Sequence, residues 1–225
     1  MQIVIPYTPR KLQSELHNNL DGHRWGVIVC HRRMGKTVMA INHLLRAAVL
    51  CERPSPRYAY LAPTYRQAKS TAWDYLKQFA SKIPGTKFHE TELRCDLPNG
   101  ARISLLGAET PDSLRGIYLD GCFMDEVADI SASVFPEIIR PALSDRKGWC
   151  FFVGTPKGQN AFYEMYEQAV INDGWFTVVH KASETEILDE EELASAKEAM
   201  TADQYAQEYE CSWVANIPGA IFGKE

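Results

Sequence analysis

The sequence predicts an α/β fold, a mostly parallel sheet flanked by helices. Three observations carry that expectation. Short apolar runs alternate with segments whose apolar residues recur every three to four positions. The first such run leads at once into a glycine-lysine turn and a helical segment. A later run ends in two adjacent carboxylates. Ligands of such sheets bind beyond the carboxyl ends of the strands, so the chemistry is expected just after residues 30, 62, 124 and 153.

Along the chain, residues 9–20 put Leu12, Leu16 and Leu20 on one face of a short helix. W-G-V-I-V-C, Trp25–Cys30, is a compact apolar strand. Lys36–Leu50 carries Val38, Ile41, Leu44, Leu45 and Ala48 at helical spacing. Arg57–Ala62 is a second strand closed by Pro63, with a helix over 64–81. Residues 91–96 and 101–106 flank a P-N-G turn, the signature of a hairpin. Strands are expected at 117–124, 149–153 and 176–180, and a helix at 159–171. The acidic stretch 189–210 reads as helix broken near Thr201, while 125–148 carries no predicted element.

Composition narrows the class. With 45% hydrophobic and 24% charged residues the chain is an ordinary globular one, which argues against disorder. No apolar run approaches the roughly 20 residues that cross a bilayer. The N-terminus lacks the basic and apolar regions of a secretory leader. Cys30, Cys51, Cys95, Cys122, Cys150 and Cys211 form no C-x-x-C pair, so no zinc site is indicated and a reducing compartment is expected. The net charge of −5 is unevenly spread. Residues 1–115 hold 17 Lys and Arg against 9 Asp and Glu, and residues 116–225 hold 7 against 20. That split suits a surface for a polyanion, but nucleotide sites and exposed helices also gather basic residues.

C-H-R-R-M-G-K-T, residues 30–37, matches the phosphate-loop pattern G-x-x-x-x-G-K-[ST] except at Cys30. Backbone N–H groups along Cys30, His31, Arg32, Arg33, Met34 and Gly35 are expected to face the phosphates of ATP. Lys36 reaches the β- and γ-phosphates, and the Thr37 hydroxyl binds Mg²⁺. Cys30 requires either a slightly different loop or a first position that tolerates a side chain. One of Arg32 and Arg33 is placed to stabilise charge developing on the triphosphate, and sequence does not separate them.

G-C-F-M-D-E, residues 121–126, is the matching acidic strand end. Asp125 holds the Mg²⁺ shell and Glu126 orients and deprotonates the attacking water. The separation of 89 positions from Lys36 to Asp125 leaves room for an inserted strand. The expectation is therefore a P-loop NTPase of the ASCE type. Thr155, in G-T-P-K-G after the next strand, suits a γ-phosphate sensor. Gln13 suits the adenine edge, with Tyr7 or Arg10 against the ring. Arg115, in S-L-R-G, is expected at the end of the acidic strand opposite its own metal site, where it does not easily serve its own γ-phosphate but could reach a neighbour's in a ring, and a lone surface arginine explains it as well.

Together R-R-M-G-K-T, S-L-R-G before M-D-E-V-A-D, F-V-G-T-P-K-G and Q-E-Y-E-C-S-W resemble the ATPase domain of the large terminase subunit of tailed bacteriophages, over about residues 5–215. The resemblance implies an ATP-driven motor that packages double-stranded DNA into a procapsid in the host cytoplasm. It implies a homo-oligomeric ring on the portal, taken as a pentamer, served by a small terminase subunit. Arg115 falls on an arginine acting in trans, one of Arg32 and Arg33 on an arginine acting in cis, and Thr155 in the coupling motif. The implied organisation is an ATPase core over 1–173, a small C-terminal lid over 174–215, and over 216–225 the start of a linker to a nuclease domain. The chain has no room for that domain, so a fragment without nuclease activity is expected. Other readings stay open: a helicase-like or other DNA-stimulated ATPase, a small-molecule P-loop kinase, or a non-catalytic nucleotide-dependent adaptor. Arg66, Lys69 and Lys77 are candidates for DNA contact, equally explained as a solvated helix face.

Overall fold

The computed structural model of the chain describes residues 4–214. Helix α1 (Lys11–Asp21) leads to strand β1 (Trp25–Cys30), helix α2 (Lys36–Leu50) and strand β2 (Arg57–Ala62). Then α3 (Tyr65–Ala68) runs through a π turn, Lys69–Trp73, into α4 (Asp74–Ala80). Next come strands β3 (Lys87–His89), β4 (Arg94–Asp96), β5 (Arg102–Gly107) and β6 (Gly121–Asp125). A second π turn, Phe135–Ile139, enters α5 (Arg140–Ala142). The rest is β7 (Trp149–Gly154), α6 (Ala161–Val170), β8 (Trp175–His180), α7 (Ala182–Thr185), α8 (Glu190–Ala199) and α9 (Ala202–Glu208).

The strands form one sheet in the order β3-β4-β5-β2-β6-β7-β1-β8. From β5 to β8 all pairs are parallel; at the other edge β4 runs against both its neighbours, β3 and β5. Both faces are covered, which is why β1 reads as a continuous apolar run. Its Ile28 joins the core beneath α1, α2 and α4 with Leu16, Leu44 and Phe123, while Val27 and Val29 join the opposite core with Met124, Ile138 and Phe162.

The strand predicted over 117–124 begins later, because Asp120 has another task. Buried at the mouth of β6, it accepts from the Arg57 amide at 2.9 Å and pairs with Arg53 and Arg146 at 3.4 and 3.7 Å. At Gly121 any Cβ would stand 2.2 Å from the Trp149 ring, so the position excludes a side chain. The break at Thr201 is a helix start: Thr201 caps α9 and its Gln204 reaches back in a capping box.

One boundary differs from expectation. The strand read with the lid, Trp175–His180, pairs with β1 along its whole length and is an edge strand of the main sheet. Beyond this strand, residues 181–214 are the part that folds over the phosphate loop. The linker expected at 216–225 lies outside the described residues. All six cysteines are free, five of them buried and Cys51 half-buried. No helix of the described residues is long and apolar enough to cross a membrane.

Candidate nucleotide-binding site

The carboxyl ends of β1, β2, β6 and β7 open on one cavity of about 840 Å³, walled by Arg33, Lys36, Thr37, Tyr60, Asp125 and Glu126 among others. The loop from Cys30 to α2 is shaped by two left-handed residues. Gly35 has φ 89° and ψ 27° at the N-terminus of α2, and a Cβ there would lie 2.9 Å from Gln13 Nε2. Arg33 takes φ 69° despite its side chain. Cys30 stays extended at the end of β1, buried and paired with His180, so the first loop position needs no glycine. Its thiol is pushed up to about 12 by burial.

The side chains of three loop residues point away from the cavity. Cys30 and Met34 are buried in the core beneath α2. His31 is buried with Nε2 2.8 Å from Thr185 Oγ1, and its N–H donates to His180 O at 3.0 Å. The structure separates the two arginines. Arg32 donates its N–H to Glu208 O at 3.1 Å and its guanidinium to the Glu208 carboxylate, tying the loop to the end of α9. Arg33 is exposed at the cavity and makes no ion pair among the described residues.

Lys36 Nζ stands 2.7 Å from Glu126 Oε1 and 3.4 Å from Thr155 Oγ1. Burial works to lower its pKa, but Cys30, Asp125 and Glu126 around it outweigh that and raise it, so the ammonium stays charged. Glu126 itself sits in the left-handed region, φ 51° and ψ 47°, with its carboxylate half-exposed to the cavity. Such strain in a non-glycine residue marks functional positions. Thr155 is buried and donates to Cys30 O at 3.0 Å, lacing β7 to the start of the loop.

Asp125 is buried, which raises its pKa, and Lys36 and Tyr60 only partly offset this. Its Oδ1 accepts the Glu126 N–H at 2.9 Å. Its Oδ2 accepts the Tyr60 hydroxyl and lies 3.4 Å from Thr37 Oγ1. Adjacent ligands of a magnesium octahedron stand about 2.9 Å apart. At 3.4 Å the Thr37 hydroxyl and the buried Asp125 carboxylate stand wider apart than that, and suit the cation with the hydroxyl as ligand and the carboxylate holding its shell through water.

The N-terminal candidates line a separate cavity of about 270 Å³ beside the loop, with Tyr7, Arg10, Gln13, Val38 and Phe79. Gln13 lines this cavity and its amide also braces the backbone: Oε1 accepts from Arg10 N at 2.9 Å and Nε2 donates to Gly35 O at 3.1 Å, which leaves one N–H and one lone pair. Tyr7 packs edge-on against Phe79 and joins its hydroxyl to His17 Nε2 at 3.0 Å, and burial pushes its pKa up to about 12. Arg115 is not brought to this site; exposed after a short 3₁₀ turn, it pairs with Asp112 at 2.8 Å. Lys77 is engaged with Glu90 and Asp74 and stacked on Trp73, while Arg66 and Lys69 are exposed and unpaired among the described residues.

Sequence reasoning missed Tyr60, Glu208 and the ion pair of Asp129 with Lys157 at 2.6 Å, all lining the large cavity. Asp129 and Lys157 stood inside M-D-E-V-A-D and G-T-P-K-G, and Tyr60 near the carboxyl end of a strand, so position was the available signal.

With this geometry in place, comparison gives a consistent result. A family model described as terminase large subunit, T4likevirus-type, N-terminal, matches residues 28–225. The large terminase subunit of Thermus virus P23-45 is 30% identical over 182 residues, 72% of this chain and 37% of that protein. The chain thus spans well under half the length of this relative. The large terminase ATPase domain of Thermus phage P74-26 superposes with a TM-score of 0.77 at 25% identity, covering 93% of this chain and 96% of that one. The large terminase of another thermophilic bacteriophage, solved in complex with ADP, gives 0.77 at 18% identity over 90% of this chain and 53% of that one.

Proposed function

This chain belongs to the phage large-terminase family, as its N-terminal part, and on that premise we propose that it hydrolyses ATP to drive double-stranded viral DNA into a procapsid. The observation that carries the reading is the meeting of Lys36, Thr37, Asp125, Glu126 and Thr155 around one cavity at the strand ends. Lys36 exchanges its bond to Glu126 for phosphate oxygens. Glu126, released, orients a water and takes its proton at a carboxylate oxygen. Thr155 reports at its hydroxyl whether Lys36 is so engaged. Arg33, unpaired at the cavity, supplies charge to the triphosphate in cis. Thr37 and, through its water shell, Asp125 would hold Mg²⁺, which when bound would neutralise charge on the β- and γ-phosphates. Residues 181–214 form the lid, fastened to the loop through Arg32 and Glu208.

Arg115 serves the nucleotide of a neighbouring copy, which its exposure and its distance in the fold from Lys36 support. The proposed assembly is a pentameric ring on the portal, working with the small terminase subunit in the host cytoplasm. The test is phosphate release from Mg-ATP by the purified chain, with and without double-stranded DNA. Hydrolysis that DNA stimulates and Lys36→Ala abolishes is expected. Hydrolysis indifferent to Lys36→Ala overturns the reading.

A further inference from the structure

Tyr60 is wholly buried in β2, yet its hydroxyl reaches the nucleotide cavity. Phenylalanine would supply the same apolar area, so a tyrosine here needs a partner for its O–H. The partner is Oδ2 of Asp125, met where β2 lies beside β6. That is the same oxygen that faces the Thr37 hydroxyl at 3.4 Å. A carboxylate on its own can rotate about its last torsion. Here Tyr60 holds one oxygen and the Glu126 N–H holds the other, at 2.9 Å, so the carboxylate plane is set before any ligand arrives. The Thr71 hydroxyl lies near the phenol and donates to Gln67 O at 2.8 Å. Thr71 sits in the π turn between α3 and α4, which inserts a residue and swings the following side chains by roughly 100° relative to a regular helix. Gln67 in α3 and Thr71 in the π turn line the cavity on the helix that also exposes Arg66 and Lys69.

We infer that Tyr60 is a positioning residue for the metal-binding carboxylate, fixing Asp125 so that one oxygen stands ready beside Thr37. The inference rests on the reading of this cavity as a magnesium-nucleotide site. Removing such an outer partner typically weakens metal affinity roughly 10- to 100-fold.

The experiment reads binding rather than turnover. A fluorescent ADP analogue is titrated onto wild type, Tyr60→Phe and Thr71→Val, first without metal and then against rising Mg²⁺. Tyr60→Phe keeps the ring, so its melting temperature and metal-free affinity should match wild type. Its Mg²⁺ midpoint should rise roughly 10- to 100-fold. Thr71→Val leaves Asp125 untouched and should shift the midpoint the same way by less, which keeps the test alive should Tyr60→Phe fail to fold. A wild-type midpoint in both variants overturns the inference while leaving the nucleotide site standing. Equal losses with and without metal also overturn it, because they mark a merely structural role. Wild-type binding indifferent to Mg²⁺ brings down the metal site and the inference together.

Discussion

Glu126→Gln is expected to separate binding from turnover, and the structure sets the size of each effect. Glu126 Oε1 lies 2.7 Å from Lys36 Nζ, with the two side chains 40% and 13% exposed. A pair that open to water is worth about 1 kcal/mol. Glutamine keeps the shape and the left-handed backbone but loses the charge that holds Lys36. Nucleotide phosphates then no longer compete against that pair, so affinity should rise about fivefold, the equivalent of about 1 kcal/mol. Turnover loses its general base and should fall by about 10²–10⁴. The assay pairs a fluorescent-nucleotide titration with single-turnover phosphate release on the same preparation. Turnover within about tenfold of wild type would falsify the assignment of Glu126 as base. Affinity that drops along with turnover would refute the competition for Lys36.

Gly35→Ala places a side chain at φ 89° and drives it against Gln13. The left-handed conformation costs about 1–2 kcal/mol and a stiffer unfolded chain offsets about half, so the melting temperature should fall by only about 2–4 °C. Nucleotide affinity should fall at least about tenfold, since the loop N–H groups move with Gly35; unchanged affinity in a titration would count against the loop geometry. Arg115→Ala should leave the melting temperature unchanged and abolish any rise of the per-subunit ATPase rate with protein concentration. A concentration-independent wild-type rate would end the trans role. Burial, reinforced by the Arg46 charge, holds His17 down at about 4, and burial with His17 and Arg46 holds His43 at about 3. Their neutral forms favour the fold above about pH 6.5, and that stability drains as pH falls through about 6.5 toward about 3, because the unfolded chain binds the protons first. Melting curves from about pH 7 to about pH 4 should show the decline, and a double variant, His17→Gln with His43→Gln, should flatten it.

The parts of the fold that were legible are those whose sequence pattern is also their burial pattern. Trp25–Cys30 and Lys36–Leu50 have the same bounds in sequence and structure, because both faces of the strand and one face of the helix meet apolar neighbours. The helix around Phe135–Ala142 was hidden by its prolines. Pro136 falls in the first turn, where no N–H bond is due, and a π turn leads into the short helix holding Pro141. Strand β3 is three residues long and half-exposed, too short to show a period. In the site, Lys36, Thr37, Asp125, Glu126 and Thr155 were readable because strand ends are where ligands bind. The different placement of Arg32 and Arg33 was not, because it depends on Glu208, far away in sequence and near only once α9 folds back. The bracing of the loop by Gln13 was hidden as well, because an amide suited to a base edge suits a backbone carbonyl equally well.

The free cysteines turn the molecule into its own set of clocks. A buried thiol reacts with a labelling reagent only when its surroundings open, so each rate reports a local opening free energy. Cys51, half-buried, should react first. Cys122 and Cys150 lie side by side on the central strands β6 and β7 and should wait for global unfolding. Cys211 closes the segment that covers the phosphate loop, its thiol against His180 O at 3.3 Å. Saturating nucleotide should slow Cys211 through the covering segment and Cys122 and Cys150 only through the stability it adds to the whole fold, while Cys51 keeps its rate, so that without any introduced probe the covering segment keeps its own time.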